Sequence, residues 1–447
     1  MSLPAVTTRI YSSDEVQYFS YLRSLYFDRD VSFENEYRAF YDRGVAHSYG
    51  FHETFLERET QVGRRVNYAT LGSAILWLPF YAVADGWVRI SGAAEPNGLT
   101  QPYIASVAYG SAFYGFLAVL LSARAARIVV GARRGAAVPV ATVAVWMGTP
   151  LLFYMYVAPP FSHAPSAFAA ALFVNVWLHV RQRWTPWGAF ALGLSVALLA
   201  MVREQDAFLA VGPLVDFVHA QLRTSSLSRL ATTAAAGLVG TLFGYLPQLA
   251  AYTALNGYPG PAAHVSRKMY WTAPWGLSVL FSPEHGFLFW TPLALLALAG
   301  LFFVRERIVA LALGLMALSQ VYVAGSVASW TVAGAFGQRR FVCLTVVLVI
   351  GLAALWSRLR GGEAPAGAAR ASKLPVYAVT ALIVLCTWWN VALIAQFATR
   401  LMDRQRLEPA RNAYHAFVTL PLQGPALAYR YLTDRSSFYG PPPGTDR

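Results

Sequence analysis

Charged residues are scarce in this chain, 13% of 447 positions, about half the share usual in soluble proteins. With 56% of its residues hydrophobic, that scarcity excludes a soluble globular protein and points to a polytopic membrane protein. Cysteine is scarcer still. Cys343 and Cys386 both lie in apolar runs, which excludes a zinc-type spacing or a disulfide framework and reads as two small buried hydrophobes. Acidic residues are outnumbered by basic ones, 22 to 35. The resulting charge of +13 would suit nucleic acid, yet no basic stripe is interleaved with aromatics. The arginines instead gather in short loops between apolar runs, the positive-inside pattern, so no nucleic-acid partner is expected. The start, MSLPAVTTRIYSSDE, lacks the basic region and apolar stretch of a signal peptide. No strong internal repeat is visible.

What is present divides the chain. Residues 1–68 are polar, rich in aromatics and hold 10 of the 22 acidic residues, so they face water. Beyond them apolar runs recur at about the length that crosses the hydrocarbon core as helix: 104–123, 137–156, 165–180, 187–202, 206–221, 231–255, 286–304, 308–328, 341–357 and 374–396. The expected fold is an all-α transmembrane bundle of about 10–11 spans. The run 69–91 contains Pro79, Asp85, Gly86 and Arg89, which make it a poor simple span. It is read, with residues up to 103, as juxtamembrane or re-entrant helices. Residues 104–396 form the bundle, and 397–447 a tail whose end, YGPPPGTDR, has the composition of a disordered segment. The linker GGEAPAGAARASK reads as flexible.

Charge assigns the sides. Arg124, Arg127, Arg133 and Arg134, Arg181 and Arg183, Arg223 and Arg229, Arg305 and Arg307, and Arg358, Arg360, Arg370 and Lys373 mark five loops with 14 basic residues. The intervening loops hold five, Arg203, Arg267, Lys268, Arg339 and Arg340. The first set is therefore cytoplasmic and the second periplasmic or extracellular. If 69–91 does not cross, residues 1–68 and the tail share the outer face.

The polar groups of that outer face carry the candidate chemistry. Asp14 and Glu15 form an adjacent acidic pair in YSSDEVQYFSYLRSL. A carboxylate can take the proton of an attacking hydroxyl within hydrogen-bond reach; the plainer reading is a helix start with Ser13 as N-cap. Asp28, Asp30, Glu34 and Glu36 alternate in FDRDVSFENEY. Such spacing leaves a divalent metal open, although the sharp glycine turn of an EF-hand is missing; a polar loop beside the acidic pair is the alternative. His163 in PPFSHAPSAF could donate to phosphate or relay a proton, or anchor a helix end. In MVREQDAF, Arg203, Glu204, Gln205 and Asp206 lie where charge is costly unless paired or functional. Either Arg203 pairs with Asp206 or it faces an anion. Glu284 and His285 in FSPEHGFLFWTP, and Gln338, Arg339 and Arg340 in FGQRRF, stand just before apolar runs. Arginine forks match phosphate oxygens; snorkelling toward headgroups is the alternative. Acids in the first loop and cations at several span ends suit a phosphate leaving group held beside a base.

Those runs, with RRVNYATLGSAILWLPFY, resemble the GT-C superfamily of integral membrane glycosyltransferases, in its bacterial branch similar to protein mannosyltransferases. The resemblance runs from about residue 11 to 345. It implies a polyprenyl-phosphate-linked sugar as donor, a glycan, lipid or protein as acceptor, and inversion at the anomeric carbon. Under it Asp14 is the catalytic base with Glu15 as alternative. Arg203, Arg339 and Arg340, with His163 and His285, would bind the donor phosphate; Gln205, Asp206, Gln338 and Glu284 would bind substrate. No cofactor is required by it, a divalent metal staying open, and the site would face outward from a bacterial plasma membrane. The family has a transmembrane helix before its acidic loop, whereas here only 13 residues precede Asp14. A transporter or flippase of lipid-linked sugars is the alternative, but transporters place charge at midplane helix breaks, often within repeats.

Overall fold

The long apolar runs close their backbone hydrogen bonds internally as helices, as a membrane requires, and among the described residues no strand forms. The structure, a computed structural model, describes residues 3–45, 50–131, 136–221, 226–332, 334–360 and 374–438. The linker 361–373, the terminal YGPPPGTDR, and Arg133, Arg134, Arg223, Arg370 and Lys373 lie outside the described residues.

The polar leader folds into α1 (Ser13–Arg23) and α2 (Glu34–Asp42), followed by α3 (Gly72–Ser91) and the long α4 (Gln101–Val130). Then come α5 (Ala137–Met147), α6 (Leu151–Tyr156), α7 (His163–Val180), α8 (Pro186–Val202), α9 (Val211–Gln221) and α10 (Leu227–Asn256). Short helices α11 (Ala263–Arg267), α12 (Gly276–Phe281) and α13 (Phe287–Trp290) lead to α14 (Leu293–Gly300), α15 (Arg307–Ser326), α16 (Thr345–Leu359) and α17 (Leu374–Thr399). The tail adds α18 (Pro409–Tyr414) and α19 (Leu420–Thr433).

Six helices among the described residues are long and apolar enough to cross a membrane: α4, α7, α10, α15, α16 with the turn before it, and α17. Three shorter apolar helices accompany them. The expected run of 10–11 uninterrupted spans is thus partly broken, and the breaks have local causes. The run 137–156 bends at Gly148–Thr149–Pro150, where Asn390 Nδ2 donates to the freed carbonyls of Met147 and Thr149 at 2.7 and 3.0 Å. The run 286–304 breaks before Pro292, whose ring cannot continue the preceding helix. The run 206–221 begins as a 3-10 turn, Glu204–Ala210, before α9.

One end of the bundle gathers the starts of α7 and α16 and the end of α8. The opposite end carries an ion-pair group: Arg181 bonds Asp216 at 2.9 Å and also pairs with Glu306. The polar leader sits at the first end, where Thr7 N donates to Tyr156 O at 2.8 Å and Ser162 Oγ to Tyr18 Oη at 2.9 Å. α3 runs back along the first part of α4. Trp77 Nε1 meets Ser111 Oγ, and Asp85 meets Tyr103 Oη, so α3 heads away from the basic end of α4. The charge in this apolar run is buried in hydrogen bonds: Asp85 accepts from Tyr26, Tyr103 and Arg89. The tail returns to the same end, with Leu407 N donating to Pro283 O and Tyr431 Oη to Ala5 O.

Glycine sets one helix pair. A Cβ on Gly193 of α8 would collide with the Gly237 carbonyl of α10, and one on Gly240 with the Phe190 carbonyl. Only small residues permit so close a crossing. That crossing brings the end of α8, and the turn after it, against α10.

Candidate functional site

The acidic pair is split by the helix it starts. Ser12, not Ser13, is the N-cap: its hydroxyl accepts from Glu15 N while the Glu15 carboxylate accepts back from Ser12 N at 3.0 Å, a capping box. Glu15 Oε2 also takes Tyr11 N and Ser12 Oγ, and the side chain is fully buried. Burial pushes its carboxyl up to about 7, against the pull of the Tyr11 and Ser12 bonds. These bonds turn Glu15 inward and leave Asp14, one residue earlier, turned outward with 41% of its side chain exposed.

Asp14 meets Arg339, Oδ2 to Nη1 at 2.8 Å. Arg339 opens the 3-10 turn Arg339–Leu344 that leads into α16, and its guanidinium lies over the Phe161 ring. Arg340 turns the other way. Its Nη1 reaches Gln205 Oε1 at 3.4 Å and its Nη2 the Ser329 carbonyl at 3.2 Å. Arg203, extended at the end of α8, donates to Ser162 Oγ at 3.2 Å, His163 Nδ1 at 3.1 Å and Gln205 Oε1 at 3.3 Å. Gln205 therefore clasps two guanidiniums with one oxygen, while its Nε2 donates to the Arg340 carbonyl.

The expected alternative pairing of Arg203 with Asp206 does not form. Asp206 is buried and accepts from Ser166 at 2.6 Å, while Arg203 spends its donors on neutral partners. Among the described residues only Arg339 of the three arginines has a carboxylate within ion-pair distance. Three guanidiniums thus face one carboxylate in ion-pair contact, Asp14. Among the described residues the Nε atoms of Arg203 and Arg340 are buried without a partner. The starts of α7 and of the α16 segment add their positive helix ends to the same place. Arginines crowded at helix N-termini repel one another and the dipoles, and an anion at this place would relieve that repulsion.

His163 joins this group. An arginine N–H can only donate, so His163 Nδ1 accepts and Nε2 carries the proton; among the described residues Nε2 is buried without a partner. His285 behaves differently. It stacks on Trp290 at 4.7 Å, and its Nε2 donates to the Ala335 carbonyl at 2.8 Å. Burial lowers it to about 4, with the Arg339 charge adding to that and the Ala335 bond opposing. A neutral imidazole with its one proton committed has nothing to give a phosphate. Gln338 ties loops together, its Nε2 donating to the His285 and Trp330 carbonyls. Glu284 is exposed on the loop before His285. The structure thus joins Asp14, Arg203, Arg339, Arg340, His163 and Gln205, sets His285, Gln338 and Asp206 around them in packing or supporting positions, and leaves Glu284 exposed.

The alternating acids of the leader are tied up separately. Arg23 pairs with Asp28 and Glu36, Glu34 with Arg38 and Arg65, and Asp30 accepts from Ser24. No group of three or more His, Cys, Asp or Glu among the described residues is arranged to hold a metal ion.

No protein-family model matches the chain, and no curated protein matches it in sequence. Solved structures do. ArnT from Cupriavidus metallidurans in the apo state aligns over 96% of this chain and 69% of its own, at 16% identity and a TM-score of 0.50. The fold is GT-C-like. A second ArnT structure, bound to undecaprenyl phosphate, aligns over 97% of this chain and 78% of its own, at 16% identity and a TM-score of 0.49.

Within this ArnT-like bundle, sequence reading missed Tyr18. It lies one helical turn from Asp14, on the same face of α1. Its hydroxyl, buried against Ser162, is raised by burial and pulled back by the Arg203 charge. The spacing of four from Asp14 was the available signal. Ser162, which bonds both Tyr18 and Arg203, gave none.

Proposed function

We propose that this chain is an inverting glycosyltransferase that moves a sugar from a polyprenyl-phosphate donor to an acceptor hydroxyl at the outer face of a bacterial plasma membrane. One observation carries the reading: three guanidiniums crowd one helix-start junction with a single outward carboxylate, Asp14, in contact. Arg203, Arg340 and Arg339 hold the donor phosphate, with the His163 Nε2 proton as a further donor. The acceptor oxygen bonds to the anomeric carbon as the bond from that carbon to the phosphate oxygen breaks. The electron pair leaves on the phosphate, and the acceptor proton passes to Asp14 Oδ1, the oxygen not held by Arg339. Glu15 fixes α1 and thereby the position of Asp14. The basic loops at the other end of the bundle support placing this end outside.

The test is an assay of the purified protein in lipid against a panel of polyprenyl-phosphate monosaccharides with mixed acceptors. Transfer that falls on Asp14→Asn, with donor binding kept, is expected. Absence of transfer from every donor sinks the function, and full activity of Asp14→Asn sinks the base.

A further inference from the structure

Glu204 follows Arg203 directly, yet its side chain is engaged elsewhere. Its Oε1 accepts from two α10 phenols, Tyr245 at 3.0 Å and Tyr252 at 2.8 Å. Its Oε2 has no hydrogen bond among the described residues. Two donors nearby are also unused. The Tyr21 hydroxyl and the Gln248 Nε2 are buried without a partner among the described residues, and both residues are fully buried. Gln248 is held in place because its Oε1 accepts from Leu71 N at 2.8 Å. Tyr245, Gln248 and Tyr252 recur at helical spacing on one face of α10. Tyr21 continues the α1 stripe of Asp14 and Tyr18, and burial followed by the Glu204 charge raises its hydroxyl.

The seam between α1, the turn after α8, and α10 therefore holds, among the described residues, two buried unpaired donors beside a half-buried carboxylate whose Oε2 has no hydrogen bond. Buried polar groups left so are rare and call for a partner. The group that both donates to a carboxylate and accepts from a phenol or amide is a hydroxyl. We propose that this seam is the subsite for the donor's sugar ring, one ring hydroxyl donating to Glu204 Oε2 and accepting from Tyr21 or Gln248. The inference rests on the polyprenyl-phosphate reading. The ring is bonded to the phosphate that Arg203 holds there, and adjacent Cα atoms are only about 3.8 Å apart, so phosphate and ring fall to neighbouring side chains. Tyrosine and carboxylate together also suit a ring with polar edges and an apolar face.

The experiment uses the full chain in lipid nanodiscs and two probes: bare polyprenyl phosphate, and the same lipid carrying a hexose or a pentose. The wild type binds the sugar-bearing lipid more tightly than the bare one. Glu204→Gln and Tyr252→Phe reduce that preference by roughly tenfold or more, leaving affinity for bare polyprenyl phosphate unchanged, which also shows the variants are folded. Tyr21→Phe, which removes one oxygen from a buried ring, serves if Glu204→Gln does not fold. Equal loss on both lipids, or no loss on either, overturns the subsite and makes the seam a water site while the phosphate reading stands. A wild type that binds neither lipid overturns both.

Discussion

Arg203→Gln separates an anion site from a structural one. In the structure Arg203 donates only to neutral groups, Ser162, His163 and Gln205, and stands among two further guanidiniums. Losing those bonds costs about 1 kcal/mol each, while removing one of three like charges returns a comparable amount. The stability of the unliganded protein should therefore fall by less than the roughly 3 kcal/mol to which the three bonds sum. The bound state has no such offset. A charge-assisted bond to phosphate contributes about 1.5–3 kcal/mol, so Kd should rise about 12- to 150-fold. Thermal unfolding in nanodiscs reads both quantities. At polyprenyl phosphate a hundred times the wild-type Kd, binding stabilises the wild type by about 2.7 kcal/mol, and a variant a hundredfold weaker by only about 0.4 kcal/mol. Arg181→Gln is the counterpart at the other end, where Arg181 pairs with Asp216 and Glu306. It should lose about 3–5 kcal/mol of stability and keep lipid binding. If Arg203→Gln unfolds easily yet keeps its ligand-induced shift, the arginines are structural and the reasoning fails.

Asp14→Asn should lower turnover by about 10²–10⁴ with donor affinity kept, measured by product formation under saturating donor. Glu15→Gln should instead weaken the cap of α1 by about 1 kcal/mol, seen as faster amide exchange in residues 13–23. Glu15 also sets a pH dependence. Its folded value of about 7 lies above the ordinary 4.5, so its contribution is complete below pH 4.5 and is lost as pH rises through 7. The ceiling is on the order of 3 kcal/mol. Protection of α1 amides should fall between pH 5 and 8, and Glu15→Gln should flatten that slope. Gly72→Ala places a Cβ against the Met201 backbone at the end of α8. It should cost about 1–3 kcal/mol and loosen the leader from the bundle, as limited proteolysis would report.

Apolar run length made the bundle legible, because a membrane leaves helix as the available form for such runs. It did not show the breaks at Thr149–Pro150 and Thr291–Pro292, which depend on what meets the freed carbonyls, as Asn390 does from far along the chain. Asp14, Arg203 and Arg340 were visible as polar residues at the ends of apolar runs. That they share a junction with His163 and Gln205, while His285 is buried against Trp290, is a matter of tertiary packing that spacing cannot report. The inward turn of Glu15 was readable, since Ser12 and Glu15 stand at capping-box spacing; reading Ser13 as the cap hid it. Glu204 stood out as a charge between apolar runs, but its role stayed hidden because its partners lie over forty residues away on α10.

The glycine crossing of α8 and α10 governs how this protein can vary. Only 11% of the apolar window of α10 is buried, so most of its surface, including Leu238, Leu242 and Phe243, accepts any apolar exchange. Gly193 and Gly240 accept none, because a carbonyl occupies the place of their missing side chains. Across diverged copies of this chain, Gly193 on α8 and Gly240 on α10 should stay fixed as a pair while the exposed apolar residues of α10 drift freely around them.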